Sequence, residues 1–221
     1  MYDKDCTVRE EDVAEFRPSQ ALGYVTVNGW KWISRDNGAW VGPRRDWECG
    51  HKNIIKEHVT DWRICVQAGG NQGMYPRLLS DMFEHVYTFE PDPLNFHCLV
   101  ANCQKDNIYK LNAGLGKETG LCKVIPRQSD NTGTYQISVD DNESYVPLMT
   151  VDSLNLPHCG FIMFDVERFE HDAILGSINT IEKYKPVIQL ETVPGELHNL
   201  LTNIGYEKVG ESHADKVYKV V

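Results

Sequence analysis

The sequence predicts an α/β fold: a mainly parallel, twisted sheet with helices on both faces and a C-terminal antiparallel hairpin. Three observations predict it. From Trp62 onward, short apolar runs of strand length alternate with segments of helical periodicity. The first run opens into a glycine-rich turn, and later runs end in single acids at Glu90, Asp165 and Glu191. After the last helical segment two further strand-like runs close the chain. Strands flanked by helices are buried on both faces, so their residues are apolar without alternation.

Taken in order, residues 1 to about 20 are charged and weakly patterned, as in an arm or surface helix. Tyr24 to Val27 and Trp30 to Ile33 flank Asn28-Gly29, a pair that accepts the positive φ angles of a two-residue hairpin turn. Trp30, Trp32, Trp40 and Trp47 all lie in this part. They either anchor it on the core or offer flat aromatic faces to a substrate. We expect an N-terminal extension over 1–60 and one α/β domain over 61–221.

Within the domain, strands are expected at Ile64 to Gln67, Val86 to Glu90 and Ile108 to Ala113. Helices are expected at Met74 to Glu84 and from about Pro93 to Cys103. Residues 115–150 break the alternation. Leu121 to Ile125, Thr134 to Val139 and Val146 to Val151 read as short strands joined by Gly, Asp, Asn and Ser turns, a β excursion. The alternation resumes with a strand at Gly160 to Asp165, a helix from Phe169 to Lys183, a strand at Pro186 to Glu191 and a helix near Glu196 to Asn203. Gly205 to Val209 and Lys216 to Val220 form the closing hairpin.

Composition narrows the function. A chain of 221 residues with 41% hydrophobic content supports one sizeable core. No apolar run approaches the ~20 residues that span a bilayer. The polar, acidic start lacks the basic and apolar segments of a signal peptide, so we expect a soluble, cytoplasmic protein. A formal net charge of -10 disfavours nucleic acid, whose binding relies on Lys and Arg displacing counterions. A homo-oligomer is compatible with the composition. The seven cysteines read as reduced thiols. His97, Cys98 and Cys103, or Cys49 and His51, lack paired metal-ligand spacing, so no metal centre is expected.

The chemistry concentrates where strands meet helices, because ligands of open parallel sheets bind beyond the carboxyl ends of the strands. The turn Gln67-Ala-Gly69-Gly70-Asn71-Gln-Gly73 follows the first strand, and Glu90 lies 21 positions after Gly69. An acid at roughly 20 residues reaches a ribose diol, so this unit reads as a nucleoside site. Either a dinucleotide or S-adenosylmethionine would use Glu90. A closing hairpin in place of a second mononucleotide half fits the latter better.

In order along the chain come Val66-Gln-Ala-Gly-Gly-Asn-Gln-Gly73, Val86-Tyr-Thr-Phe-Glu-Pro-Asp-Pro-Leu-Asn-Phe96 and Asn112-Ala-Gly-Leu-Gly116. Thr150-Val-Asp-Ser-Leu154, Phe164-Asp-Val-Glu-Arg-Phe-Glu170 and Pro186-Val-Ile-Gln-Leu-Glu191 follow. This series, over about residues 62–192, resembles the FkbM-type S-adenosylmethionine-dependent methyltransferases. The resemblance implies a Rossmann-like class I methyltransferase fold, S-adenosylmethionine as cofactor and a small-molecule or glycan acceptor methylated on a hydroxyl. Gln67, Gly69, Gly70, Asn71, Gly73, Glu90, Pro91, Asn112 and Asp165 are the cofactor-binding candidates. The chain departs from the family pattern in two places, with Gln67 at a position usually acidic and Arg168 at one usually glycine.

Methyl transfer to a hydroxyl requires the acceptor to be aligned and its proton removed. Asp165, Glu167 and, one turn into the next helix, His171 are the candidates for that work. Asp165 could equally cap the helix, Glu167 could pair with a cation, and His171 could be an ordinary surface residue. Clustered carboxylates also suit a hard cation if enough oxygens converge. Two other readings stay open: an NAD-dependent oxidoreductase, and a binding or assembly protein that keeps the fold without catalysis.

Overall fold

The structure, a computed structural model, describes residues 23–27, 29–36, 45–139 and 145–221, with the backbone alone at 45–49. The N-terminal arm, Asn28, Trp40, Trp47 and Cys49 of the sequence reading lie outside the described residues or their described side chains.

Strands β1 (Tyr24–Val27) and β2 (Trp30–Ile33) pair antiparallel, with Val27 opposite Trp30. Helix α1 (Arg45–His58) follows, then β3 (Ile64–Ala68), α2 (Met74–Leu79), β4 (His85–Phe89), α3 (Pro93–Asn102) and β5 (Ile108–Leu111). The excursion comprises β6 (Gly114–Leu115), β7 (Gly120–Ile125), β8 (Gln136–Ser138) and β9 (Val146–Met149), with a 3-10 turn at Thr132–Thr134. The chain then runs through β10 (Phe161–Phe164), α4 (Glu170–Leu175), α5 (Ile178–Tyr184), β11 (Val187–Leu190), α6 (Gly195–Asn203), β12 (Tyr206–Ser212) and β13 (Asp215–Val220).

The central sheet has the order β12-β13-β11-β10-β3-β4-β5. The pairs β5-β4, β4-β3, β3-β10 and β10-β11 are parallel, and β13 runs antiparallel to both its neighbours. This is the α/β architecture the sequence predicts. Strand order reverses between β3 and β10, which opens a crevice at their carboxyl ends.

Successive side chains on a strand point to opposite faces. Ile64, Val66 and Ala68 of β3 join Ile162 and Phe164 of β10 against Ala173, Ile181, Leu197 and Leu201 of α4 to α6. Cys65, Phe161 and Met163 face the other way, against Ile55 of α1, Val59 just beyond it, and Leu79 of α2. No helix among the described residues is long and apolar enough to cross a membrane.

Three helical regions differ from the sequence reading. Helix α1 was not anticipated, because the buried stripe His51, Ile55, Val59 carries a histidine where an apolar residue would have signalled the period. Helix α2 stops at Leu79 instead of Glu84. The Asn107 amide donates to the carbonyls of Ser80 and Phe83, both at 3.0 Å, and so satisfies groups that a continuing helix would have used. The expected helix from Phe169 to Lys183 is broken into α4 and α5 at Gly176-Ser177. A Cβ on Gly176 would lie 2.0 Å from the Gly116 carbonyl oxygen, so the excursion's backbone presses on the helix there.

Candidate functional site

A cavity of about 370 Å³ opens over the carboxyl ends of β3, β4, β10 and β11. Its floor is the turn after β3. Gly69 has φ 80°, and a Cβ there would sit 1.8 Å from the Asp165 carbonyl oxygen, so only glycine lets β3 and β10 meet so closely. Gly70 and Asn71 continue the floor. The backbone N–H groups of Gly69 and Gly70 both donate to the Phe89 carbonyl, at 3.1 and 2.9 Å, tying the turn to β4.

Glu90 ends β4 and lines the cavity with Pro91. Its carboxylate accepts from the backbone N–H of Asn71 at 2.7 Å and of Asp92 at 2.8 Å, and burial pushes its pKa up to about 8. Near it the Oδ1 atoms of Asn71 and Asn95, both cavity residues, are buried without a hydrogen-bond partner. This end of the cavity therefore presents acceptors to a ligand rich in hydroxyl or amino donors.

The other end is a carboxylate wall. Oxygens of Asp165, Glu167 and Glu191 lie within 4.8 Å of one another. Burial, together with Glu191 and Asp215, holds Asp165 well above the ordinary carboxylate range. Burial and Glu191 raise Glu167 to about 7, and burial raises Asp215 to about 6. Hard cations take six or more oxygens, and three carboxylates converge here.

Each of these acids keeps its proton to a higher pH when folded than when unfolded, where Glu titrates near 4.5 and Asp near 3.8. The folded chain therefore binds more protons over that interval, and its stability falls as pH rises through it. Melting of the ligand-free protein is expected at a temperature several degrees higher at pH 5 than at pH 8. A melting temperature that climbs across that window would contradict the burial of these groups. Glu90→Gln should flatten the profile.

The loop that delivers Glu167 is strained: Glu167 has φ 52° and Arg168 φ 77°, consecutive left-handed residues without glycine. Such positions cost about 1 kcal/mol or more each. Arg168→Gly is expected to stabilise the fold by about 1 kcal/mol, seen as a melting temperature higher by roughly 2–4 °C. A lower melting temperature would mean that Arg168 contributes contacts outweighing its strain.

The roof comes from two segments far apart in sequence. Trp32 of β2 lines the cavity, and its indole N–H donates to Asp36 Oδ1 at 3.1 Å. The other Asp36 oxygen accepts from the Thr132 N–H at 2.9 Å and its hydroxyl at 2.8 Å. Gln72 donates to the Thr132 hydroxyl and accepts from the Ile33 N–H, while Asn95 donates to the Thr132 carbonyl. The hairpin and the excursion are thus latched to each other and to the floor. Trp30, by contrast, packs beneath the Arg77 guanidinium, 4.9 Å away, as an anchor.

Among the expected site residues, the structure brings Gly69, Gly70, Asn71, Glu90, Pro91, Asp165 and Glu167 to the cavity wall. Gln67, Gly73, Asn112 and His171 are elsewhere. Gln67 is sealed within the sheet, where its amide donates to the Ala68 carbonyl and its oxygen accepts from the Thr88 hydroxyl. Strand alternation turns it away from the face that Ala68 shares with the core beneath α4 to α6. Gly73 packs toward Cys103, and Asn112 donates to the carbonyls of Glu90 and Pro91, supporting the loop from behind. His171 lies at the surface beside Asp172. Sequence reasoning weighed His51 only as a metal ligand beside Cys49 and missed Tyr75, His213 and Asp215; all four line the wall. The four-residue recurrence of His51, Ile55 and Val59 was the only trace of the first of them.

Residues 67–208 match the family model described as the Methyltransferase FkbM domain. No curated protein matches the sequence. Among solved structures, the chain is similar to the methyltransferase FkbM of Methylobacillus flagellatus KT, with 18% identity over 72% of this chain and a TM-score of 0.49. It spans 43% of that protein's length. It is also similar to the precorrin-6y C5,15-methyltransferase of Geobacter metallireducens GS-15, with 11% identity, 89% of this chain and 96% of the other covered, and a TM-score of 0.47. A third similarity is to the precorrin 8W decarboxylase of Methanobacterium thermoautotrophicum, with 11% identity, coverage of 84% and 96%, and a TM-score of 0.49.

Proposed function

Because the chain belongs to the FkbM methyltransferase domain family, we propose that it transfers a methyl group from S-adenosylmethionine to a hydroxyl of a sugar, glycan or other small molecule. The observation that carries this reading is one cavity with donor-seeking groups at one end and a carboxylate wall at the other.

The residues present fit the cofactor. Glu90 would hold the ribose diol, the buried oxygens of Asn71 and Asn95 would take further N–H or O–H donors, and Gly69 and Gly70 would form the floor. Bound S-adenosylmethionine supplies a methyl group already activated by its sulfonium. The chain's own task is then to align the acceptor oxygen and accept its proton. Glu167 is the better base, because a pKa of about 7 leaves it substantially ionised at neutral pH while strong enough to take a proton. Asp165, whose carboxyl is pushed well above the ordinary range by burial and by Glu191 beside it, would orient the acceptor.

Among the described residues no lysine or arginine lines the cavity, which supports an acceptor without phosphates and a cofactor without a pyrophosphate.

The test has two parts. Calorimetry should detect S-adenosylhomocysteine binding that NADH does not reproduce; no heat at millimolar ligand would sink the reading. Labelled methyl transfer from S-adenosylmethionine into a panel of mono- and oligosaccharides should then identify the acceptor class. Label appearing only in RNA would redirect it.

A further inference from the structure

Glycine and histidine occupy inverted places on two elements that meet at the carboxylate end of the cavity. Strands β12 and β13 are joined by the two-residue turn His213-Ala214, with Ser212 opposite Asp215. His213 has φ 55°, a left-handed conformation that such turns ordinarily give to Gly, Asn or Asp. On α1, Gly50 occupies a helix interior, where alanine would be more favourable. Each choice costs stability, and both concern the same ring, since a Cβ on Gly50 would lie 2.9 Å from His213 Nε2. The helix omits a side chain where the imidazole lies against it. Both residues fall outside the family match at 67–208.

The sheet register brings this turn to the carboxylate wall. Leu190 of β11 pairs with Phe164 of β10 and with Lys216 of β13, so the next rung sets Asp165, Glu191 and Asp215 side by side. His213, two residues before Asp215, is exposed and lines the cavity with Ala214. Its ring packs on His51, another lining residue, with centroids 5.3 Å apart and planes at 42°. No hydrogen bond within the described residues holds the His213 ring. Backbone strain that the fold does not require is characteristic of residues that contact ligands.

We propose that His213 is an acceptor-binding residue, and that its imidazole, seated on Gly50 at the cavity rim, holds a hydroxyl of a polyhydroxylated methyl acceptor. The proposal rests on the methyltransferase reading of the same cavity. In either protonation state an imidazole has an N–H to donate, which an ionised carboxylate lacks. A hydroxyl oxygen takes that bond while a neighbouring hydroxyl of the same molecule faces Glu167. The rim therefore selects sugars and other polyols over acceptors with a single hydroxyl.

The test follows labelled methyl transfer from S-adenosylmethionine into the panel of mono- and oligosaccharides. Glycine suits the left-handed turn, so His213→Gly should melt roughly 2–4 °C above the native protein. It should nevertheless raise the saccharide KM by about 10-fold or more, with S-adenosylhomocysteine affinity within about threefold. Gly50→Ala displaces the ring, so it should raise the KM in the native background and not in the His213→Gly background. If glycine disrupts the turn, His213→Asn, which also accepts a left-handed φ, replaces it. A second readout needs no turnover. In ¹³C NMR of the full chain labelled in histidine and saturated with S-adenosylhomocysteine, the His213 signal, identified by its loss in His213→Gly, should shift saturably with at least one saccharide of the panel. A KM within about threefold of native in the His213 variants would overturn the proposal, because a ring that serves only the fold changes melting and not KM. So would a Gly50→Ala effect equal in both backgrounds, or a His213 signal indifferent to every saccharide. Calorimetry of S-adenosylhomocysteine on the same samples separates the two readings: absent heat sinks the methyltransferase reading, whereas intact binding with an indifferent His213 sinks this proposal alone.

Discussion

Glu90→Ala is expected to weaken S-adenosylhomocysteine binding by roughly 100-fold or more. Hydrogen bonds to a charged acceptor contribute about 1.5–3 kcal/mol each, and a ribose diol offers two. The same carboxylate accepts from the Asn71 and Asp92 N–H groups, so alanine also loosens the turn that forms the floor. Glu90→Gln separates these effects, because its single amide oxygen keeps one such bond while the charge is lost. The pH dependence has a definite sign. Glu90 titrates near 8 in the ligand-free protein, and hydroxyl donors favour its ionised form. Binding therefore releases a proton, and affinity should rise from pH 6 to about 8 and then level off. In Glu90→Gln that rise should vanish. Calorimetry in two buffers of different ionisation enthalpy measures the released proton. Affinity within about threefold of the native protein in both variants would remove Glu90 from the cofactor site.

Glu167→Gln is expected to lower the rate of methyl transfer by a factor of about 10² to 10⁴, the usual contribution of a positioned general base. Affinity for S-adenosylhomocysteine should stay within a few-fold. With the best acceptor from the saccharide panel, the native rate should climb through pH 7 and reach a plateau, tracking ionisation of Glu167. The residual rate of the variant should lack that limb. Asp165→Asn should raise the acceptor KM as well as lower kcat, because Asp165 is assigned to orientation. A Glu167→Gln enzyme retaining more than about a tenth of native activity would transfer the role of base to another member of the wall.

The core of the site was legible because its signals are local. A buried strand must be apolar, so an acid at its end stands out, as with Glu90, Asp165 and Glu191. Gly69 was legible for a similar reason, since a strand-to-helix turn demands a residue without Cβ. Gln67 shows the limit of this reasoning. It is adjacent to the turn in sequence, but the period of two along β3 sends its side chain into the sheet, toward Thr88 and away from the cavity. Its departure from the family pattern therefore falls on sheet packing and not on a wall residue. Arg168 makes the opposite case. Its left-handed φ explains why glycine suits that position, although nothing in the composition of the segment announces the strain.

What the sequence by itself determined is the order of the core strands, the α/β class, the turn after β3 and the acids at the strand ends. Each depends on periodicity within a few residues or on one fixed spacing. Only the tertiary structure decided how the cavity is closed and what completes its wall. Asp36 meets Thr132 across 96 positions, and His51 meets Gln189 across 138. Neither pairing leaves a local trace, because a polar side chain bound in the interior looks the same in sequence as one bound to water. The break at Gly176 follows the same rule, since it is imposed by the carbonyl of Gly116, which approaches only once the excursion has folded against α4.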